Sequence, residues 1–261
     1  MTTGTDDSSQ PAAPPVAPPA AEPDVNPFQR IAGVLFAPVR TFAEIARRPD
    51  ILVPLVLIIV IGYASTIAIM PRIDWDTVMD QQFAQARKAN PNMSDEDFQR
   101  MSKFGMAMGK GIAYVQPLLA VIWYVIVAGV LLLGVRMFGG EGNFQQAFSV
   151  TLYAWFPLIL YGILTTIVVV AKGTFDPTHV ATLVKSNPAF LIDMKQHFVL
   201  YSLLSMLDVF TFWMLALLII GFASVSKFSK AKAAAVVIPA WLLLVLIRLG
   251  FAAMGAARMK G

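Results

Sequence analysis

The sequence predicts an all-α, polytopic membrane helix bundle with five transmembrane helices, and three observations carry that prediction. Of 261 residues, 57% are hydrophobic and 14% charged, against about 45–50% apolar in ordinary soluble domains. Mean hydropathy is +0.67. Five charge-poor stretches are long enough to cross a hydrocarbon core about 30 Å thick, and the segments between them show helical spacing. The absence of cysteine excludes disulfides, thiolate metal sites and cysteine nucleophiles. Two histidines far apart leave little material for a metal centre, so neither a metal nor a cofactor is expected. The 20 Lys and Arg exceed the 16 Asp and Glu only slightly and are spread over many connections, which makes nucleic acid an unexpected partner.

Residues 1–25 are rich in Pro and Ala, with acids and no large apolar residue except valine. Such a segment cannot bury enough surface to offset its chain entropy and reads as a disordered tail. It has no basic region ahead of a short apolar core, so it does not read as a secretory signal. Asn26 followed by Pro27 starts a helix that places Phe28, Ile31, Leu35 and Phe36 on one side, until Pro38 breaks it. The next piece sets Val39, Phe42, Ile45 and Ala46 opposite Arg40, Glu44, Arg47 and Arg48. Residues 26–50 thus form two amphipathic helices. They fit the membrane interface, with Phe28, Phe42, Arg47 and Arg48 as anchors, and they equally fit packing on the end of the bundle.

The membrane domain covers 51–254, with spans at about 51–70, 112–138, 149–171, 198–225 and 233–254 and a short tail at 255–261. Pro117, Pro157 and Pro239 would break soluble helices but are tolerated in bilayer ones. Between the first two spans, residues 71–111 read as a helical hairpin. Trp75, Met79 and Phe83 recur every four residues, and Ser94 with Asp97 has capping-box spacing. Phe98, Met101, Phe104 and Met108 then continue as a stripe, which reads as local core ahead of a partner surface.

Five spans place the termini on opposite sides. With the N-terminus cytoplasmic, the inside segments hold Arg30, Arg40, Arg47, Arg48, Arg136, Lys227, Lys230 and Lys232, against eleven basic residues outside. Long connections translocate with little regard for charge. Arg47 and Arg48 flanking the first span, and the short SKFSKAK turn, carry more weight and favour the N-terminus inside.

Few positions suggest chemistry. The GGEGN turn at 139–143 lacks a following Lys-Ser/Thr pair and a preceding strand, so it reads as a tight connection, not a phosphate cradle. Asp208 and Arg248 are charges inside spans, where each costs several kcal/mol unless partnered or wetted. Counted from the turn near Ser229, an antiparallel pair of helices sets them within about 3 Å of one depth. That makes an intramembrane ion pair feasible, and a structural lock is favoured over a proton or ion path. No catalytic constellation is recognisable.

The order of these features resembles the bacterial branch of the YIP membrane protein family. The similar segments are FAPVRTFAEIARRPDILVPL, NPNMSDEDFQ, GGEGNFQQAFSVTLYAWFPLIL and the stretch from LLSMLDVFTFW to VVIPAWLL, and the match as a whole runs from roughly Phe28 to Met254. The resemblance implies a five-span integral protein of the bacterial inner membrane with a cytoplasmic N-terminus. It matches Phe42, Pro49, Gly140, Tyr153, Pro157, Asp208 and Trp213 to the family pattern and supplies no catalytic residue. Eukaryotic relatives bind Rab GTPases, which are not expected partners in a bacterium. The partners implied are the lipid bilayer and other membrane proteins or a second copy. A non-enzymatic scaffold or adaptor is the leading expectation; a small permease or proton-coupled transporter using Asp208 and Arg248 is the alternative, and a lipid-modifying enzyme comes third.

Overall fold

The computed structural model describes residues 26–194 and 196–260; the tail at 1–25 and the last residue of the 255–261 segment lie outside them. Ten α-helices follow in order: α1 Pro27–Phe36, α2 Pro38–Arg47, α3 Leu52–Ile69, α4 Trp75–Ala89, α5 Asp95–Met137, α6 Phe144–Ala154, α7 Phe156–Lys172, α8 Phe198–Met206, α9 Val209–Ser226 and α10 Lys230–Lys260. Among the described residues there is no strand, only one isolated parallel bridge between Ile73 and Phe175. Five helical segments are long and apolar enough to span a bilayer: Leu52–Arg72, Asp95–Met137, Phe144–Lys172, Val209–Ser226 and Lys230–Ala256.

The span boundaries differ from the sequence expectation at three places, each for a local reason. The second span is the C-terminal part of α5, a single helix of 43 residues, about 64 Å long at 1.5 Å per residue, which begins in the hairpin. Pro117 does not interrupt it. The third span is two helices bent at Trp155, with Pro157 in the first turn of α7, where its missing N–H costs nothing. The fourth expected span breaks at Leu207 and Asp208. Asp208 adopts an extended backbone (φ −95°, ψ 139°) and caps α9 by accepting the Phe210 N–H at 2.8 Å, the role in which aspartate outcompetes helix continuation.

α9 is the central helix. Half of its apolar window is buried within the protein, against 17–28% for the other four segments, and it packs on α2, α6, α7 and α10. α10, continuous through Pro239, pairs with α9 along one part and with α8 along another. The core centres on Phe42, Ile45, Val150, Leu152, Tyr153, Leu217 and Phe222.

The hairpin forms as expected. Asp74 caps α4 through the Thr77 N–H at 3.0 Å, and Ser94 caps α5 through the Asp97 N–H at 3.1 Å. Phe83 meets Phe98 edge to face at 4.3 Å, and Lys110 lies over the Trp75 ring. Only part of the expected apolar stripe is core: Phe98 is buried, whereas Met101, Phe104 and Met108 are exposed on α5. α4 is one helix wide and covers only the face on which Phe98 sits.

Candidate functional site

At one end of the bundle, the N-terminal pair α1 and α2 packs on α3, α6, α7 and α9. Pro27 and Pro38 open these two helices, and Pro38 turns the chain between them. The amphipathic pattern of α2 is used inwardly. Phe42 and Ile45 are wholly buried, and Phe42 lies against Gly221 of α9 and alongside Val150. A Cβ built on Gly221 meets the Phe42 ring at 3.0 Å and Val150 closer still. Phe42 is therefore a plug in the bundle, not a lipid-facing anchor. Phe28 does lie outward, 60% exposed, with Phe36 at 84% and Val39 beside it. Arg47 and Arg48 are exposed, and the Arg48 carbonyl accepts the Arg30 guanidinium at 2.9 Å.

A polar lock completes the docking. The Tyr153 hydroxyl donates to Asp50 Oδ2 at 3.0 Å, and Ser149 Oγ both donates to the Asp50 carbonyl at 2.7 Å and accepts its N–H at 3.2 Å. Gln146 closes a capping box with Asn143 and also donates to the Ala46 carbonyl at 2.6 Å. Arg30, itself buried, reaches Glu44 at 3.8 Å, while its Nε has no partner among the described residues. Buried polar groups are costly unless hydrogen-bonded. Pairing these four side chains across about 100 residues of sequence fixes one position for α2.

The glycine turn joining α5 and α6 lies at the same end. Gly139 and Gly142 take positive φ values of 75° and 109°. The N–H groups of Gly140 and Glu141 donate to the Val135 and Ser226 carbonyls at 2.9 and 3.2 Å, which leaves those groups satisfied without an anion and agrees with a tight connection. A Cβ on Gly140 would meet Val135 at 2.5 Å and the Phe228 ring at 2.6 Å. Between α2, α6 and α9 lies an open pocket of about 360 Å³, lined by Ala43, Arg47, Gly142, Gln146, Ser224 and Lys227; Lys227 pairs with Glu141 at 2.7 Å.

The opposite end holds Asp208. Its carboxylate is buried and receives the Ser186 hydroxyl, the Asn187 amide at 3.4 Å and the Phe210 N–H. Ser186 also accepts the Val209 N–H through its carbonyl at 3.1 Å. Arg248 is exposed on α10, and among the described residues it forms no ion pair with Asp208. The equal depth foreseen from sequence does not bring the faces together. Each residue lies 18 positions from its end of the turn at Ser226 and Lys230, about 27 Å away, so each sits near the far boundary of a hydrocarbon layer about 30 Å thick. At that depth an arginine side chain is long enough to extend to headgroups and water, and Asp208 is satisfied by neutral donors. Sequence reasoning missed Ser186 and Asn187, since a loop side chain that finishes a cap carries no signal of its own.

A third feature is a largely apolar cleft of about 370 Å³ between α3, α5 and α7, with Ser65, Thr66, Gln116 and Tyr124 among its walls. No group of His, Asp and Glu with metal-binding geometry occurs among the described residues.

The fold and these sites define an integral membrane protein of five apolar helical segments, with a docked N-terminal helical pair. The Yip1 domain profile matches residues 32–251, and the chain belongs to that family. No curated protein and no solved structure matches the chain significantly. The resemblance seen in the sequence is thus upheld. Phe42, Tyr153, Gly140 and Asp208, four of the positions it singled out, are respectively the plug, the lock, the close approach and the cap.

Proposed function

We propose that this protein is a non-enzymatic membrane scaffold or adaptor, with its N-terminal end on the cytoplasmic side of the inner membrane. The observation that carries the reading is the docked α1–α2 pair. Its inner face is spent on the bundle through Phe42, Ile45 and the Asp50 lock, while its outer face holds Phe28, Phe36, Val39 and Arg40 in fixed array. A rigid amphipathic surface at headgroup level suits recognition better than turnover. The short basic flanks at this end support the cytoplasmic assignment.

Affinity capture of the full chain in mild detergent, repeated with Phe28→Ser and Phe36→Ser, tests the proposal. Reproducible co-purification of protein or lipid that falls with the two variants is expected. Repeated capture of neither would refute it. The transporter alternative rests on the buried Asp208 carboxylate. The three donors already on Asp208 weigh against it, because a carboxylate that caps a helix is not free to bind and release an ion.

A further inference from the structure

We infer that the protein pairs with a second copy of itself through a parallel coiled-coil seam along α5, which runs from the helical hairpin into the membrane. This seam lies away from α1 and α2 and is independent of the surface that carries the scaffold reading. A Cβ on Gly62 of α3 meets Pro117 of α5 at 3.1 Å. Consecutive spans run antiparallel, so Met70, eight residues further along α3, lies level with Gly109 of α5. The stretch 95–109, about 22 Å of helix, therefore stands clear of the hydrocarbon, and Lys110 over the Trp75 ring at 4.9 Å marks the boundary. On this projecting part Met101, Phe104 and Met108 are half or more exposed. α4 covers the other side, where Phe98 and Ser102 are buried, and lipid does not reach this far.

The spacing along the stripe names what covers it. Met101, Phe104 and Met108 begin an alternation of three and four residues that continues through Gly111, Val115, Leu118 and Ile122, every one of them exposed. That is the repeat of a coiled coil, sustained over three heptads. β-Branched Val115 and Ile122 hold its first core position and Leu118 its second, the combination that favours two parallel strands. Every copy enters the bilayer in one orientation, so α5 of two copies runs parallel about an axis along the membrane normal. Each seam residue then meets its own twin, an arrangement that a charge on the seam would oppose. None of the seven carries one: Lys103 and Lys110 lie off the seam, and Arg100 faces the position of Gly105 on the other helix. Nothing lies within 4 Å of a Cβ on Gly105 or Gly111, which leaves room for close approach. The seam and its flanks offer on the order of 700 Å² per chain, near the about 800 Å² per partner of a stable interface.

The chain contains no cysteine, so single-cysteine variants of the full chain can be cross-linked by oxidation in the membrane. Phe104→Cys and Met108→Cys are expected to give a product of twice the chain mass about tenfold more efficiently than Lys103→Cys or Lys110→Cys, because a disulfide forms only between closely facing Cβ atoms. Both lysines are exposed as well, so accessibility alone does not produce that difference. Single-molecule photobleaching in liposomes counts the copies directly. Wild type is expected as a dimer and Phe104→Glu as a monomer, and co-expression of Phe104→Glu with Phe104→Lys is expected to restore a mixed dimer. That rescue separates lost pairing from lost folding. Equal cross-linking at 103 and 104, a wild type that counts as a monomer, or a charge-swapped pair that stays apart overturns the inference. So does a cross-linked product whose mass includes a different protein, which would give the stripe to another partner.

Discussion

Replacing Phe42 with alanine separates a docked α2 from one that merely floats in the interface. Phe42 is wholly buried against Gly221 and beside Val150. Truncating such a phenylalanine costs about 3–5 kcal/mol when the alternative is water. An undocked α2 still rests on headgroups that cover part of the ring, so the docking equilibrium loses less, about 2 kcal/mol, or a roughly 30-fold larger undocked population. Gly221→Ala attacks the same contact from the other side. Its new methyl would fall within 3.0 Å of the Phe42 ring, and overpacking of this kind costs about 1–3 kcal/mol. Hydrogen exchange reads both: amides of 38–47 are expected to exchange tenfold to 30-fold faster in either variant, with those of 236–247 unchanged. Phe36→Ala, at a site 84% exposed, serves as the control. If Gly221→Ala leaves α2 protected, or if Phe36→Ala opens it as much as Phe42→Ala, the ring is not held where the structure puts it.

Other expectations follow from the same geometry. Tyr153→Phe removes the donor to Asp50 at 3.0 Å and should lower stability by about 1.5–3 kcal/mol, as for hydrogen bonds to charged groups, with a fall in unfolding temperature in detergent as the measure. Asp208→Ala deletes the α9 cap and should cost about 0.5–2 kcal/mol, whereas Arg248→Gln should stay within about 0.5 kcal/mol; the double variant should equal the sum, and recovery in the double would restore the ion pair the structure lacks. The Asp74 carboxyl is held below its usual value of 3.8, first by the Thr77 N–H and then by the Thr77 hydroxyl. Its cap on α4 is therefore fully present above the ordinary aspartate range and is lost as pH falls through the lowered folded value. Exchange protection of amides 75–80 that is constant from pH 7 to 5 and collapses only at more acidic pH is the expected result; a collapse centred near pH 6 would contradict it.

The parts of the fold that were legible in the sequence are those fixed by composition and local chemistry. Five long apolar runs cannot be satisfied in water, and Asn26 and Ser94 each announce a helix start that the structure contains. Asp208 was visible as an anomaly but misread as lying within a continuous span, because its competing role as a cap depends on Ser186 and Asn187 arriving from a loop 21–22 residues away. The inward use of α2 was one of two open readings. Amphipathicity is the same whether the apolar face meets lipid or protein, and what decides is the flat strip at Gly221, in another helix. The exposed Met101, Phe104 and Met108 show the converse: their spacing suits a core, but α4 is too narrow to cover them.

The account holds that Asp208 closes a helix and does not carry ions, and proteoliposome flux under an imposed pH gradient tests this most directly. Wild type and Asp208→Asn, each checked for intact folding by thermal unfolding, should show the same background leak as empty vesicles. Proton or solute flux in the wild type that Asp208→Asn abolishes without loss of stability would make the protein a transporter and contradict the account.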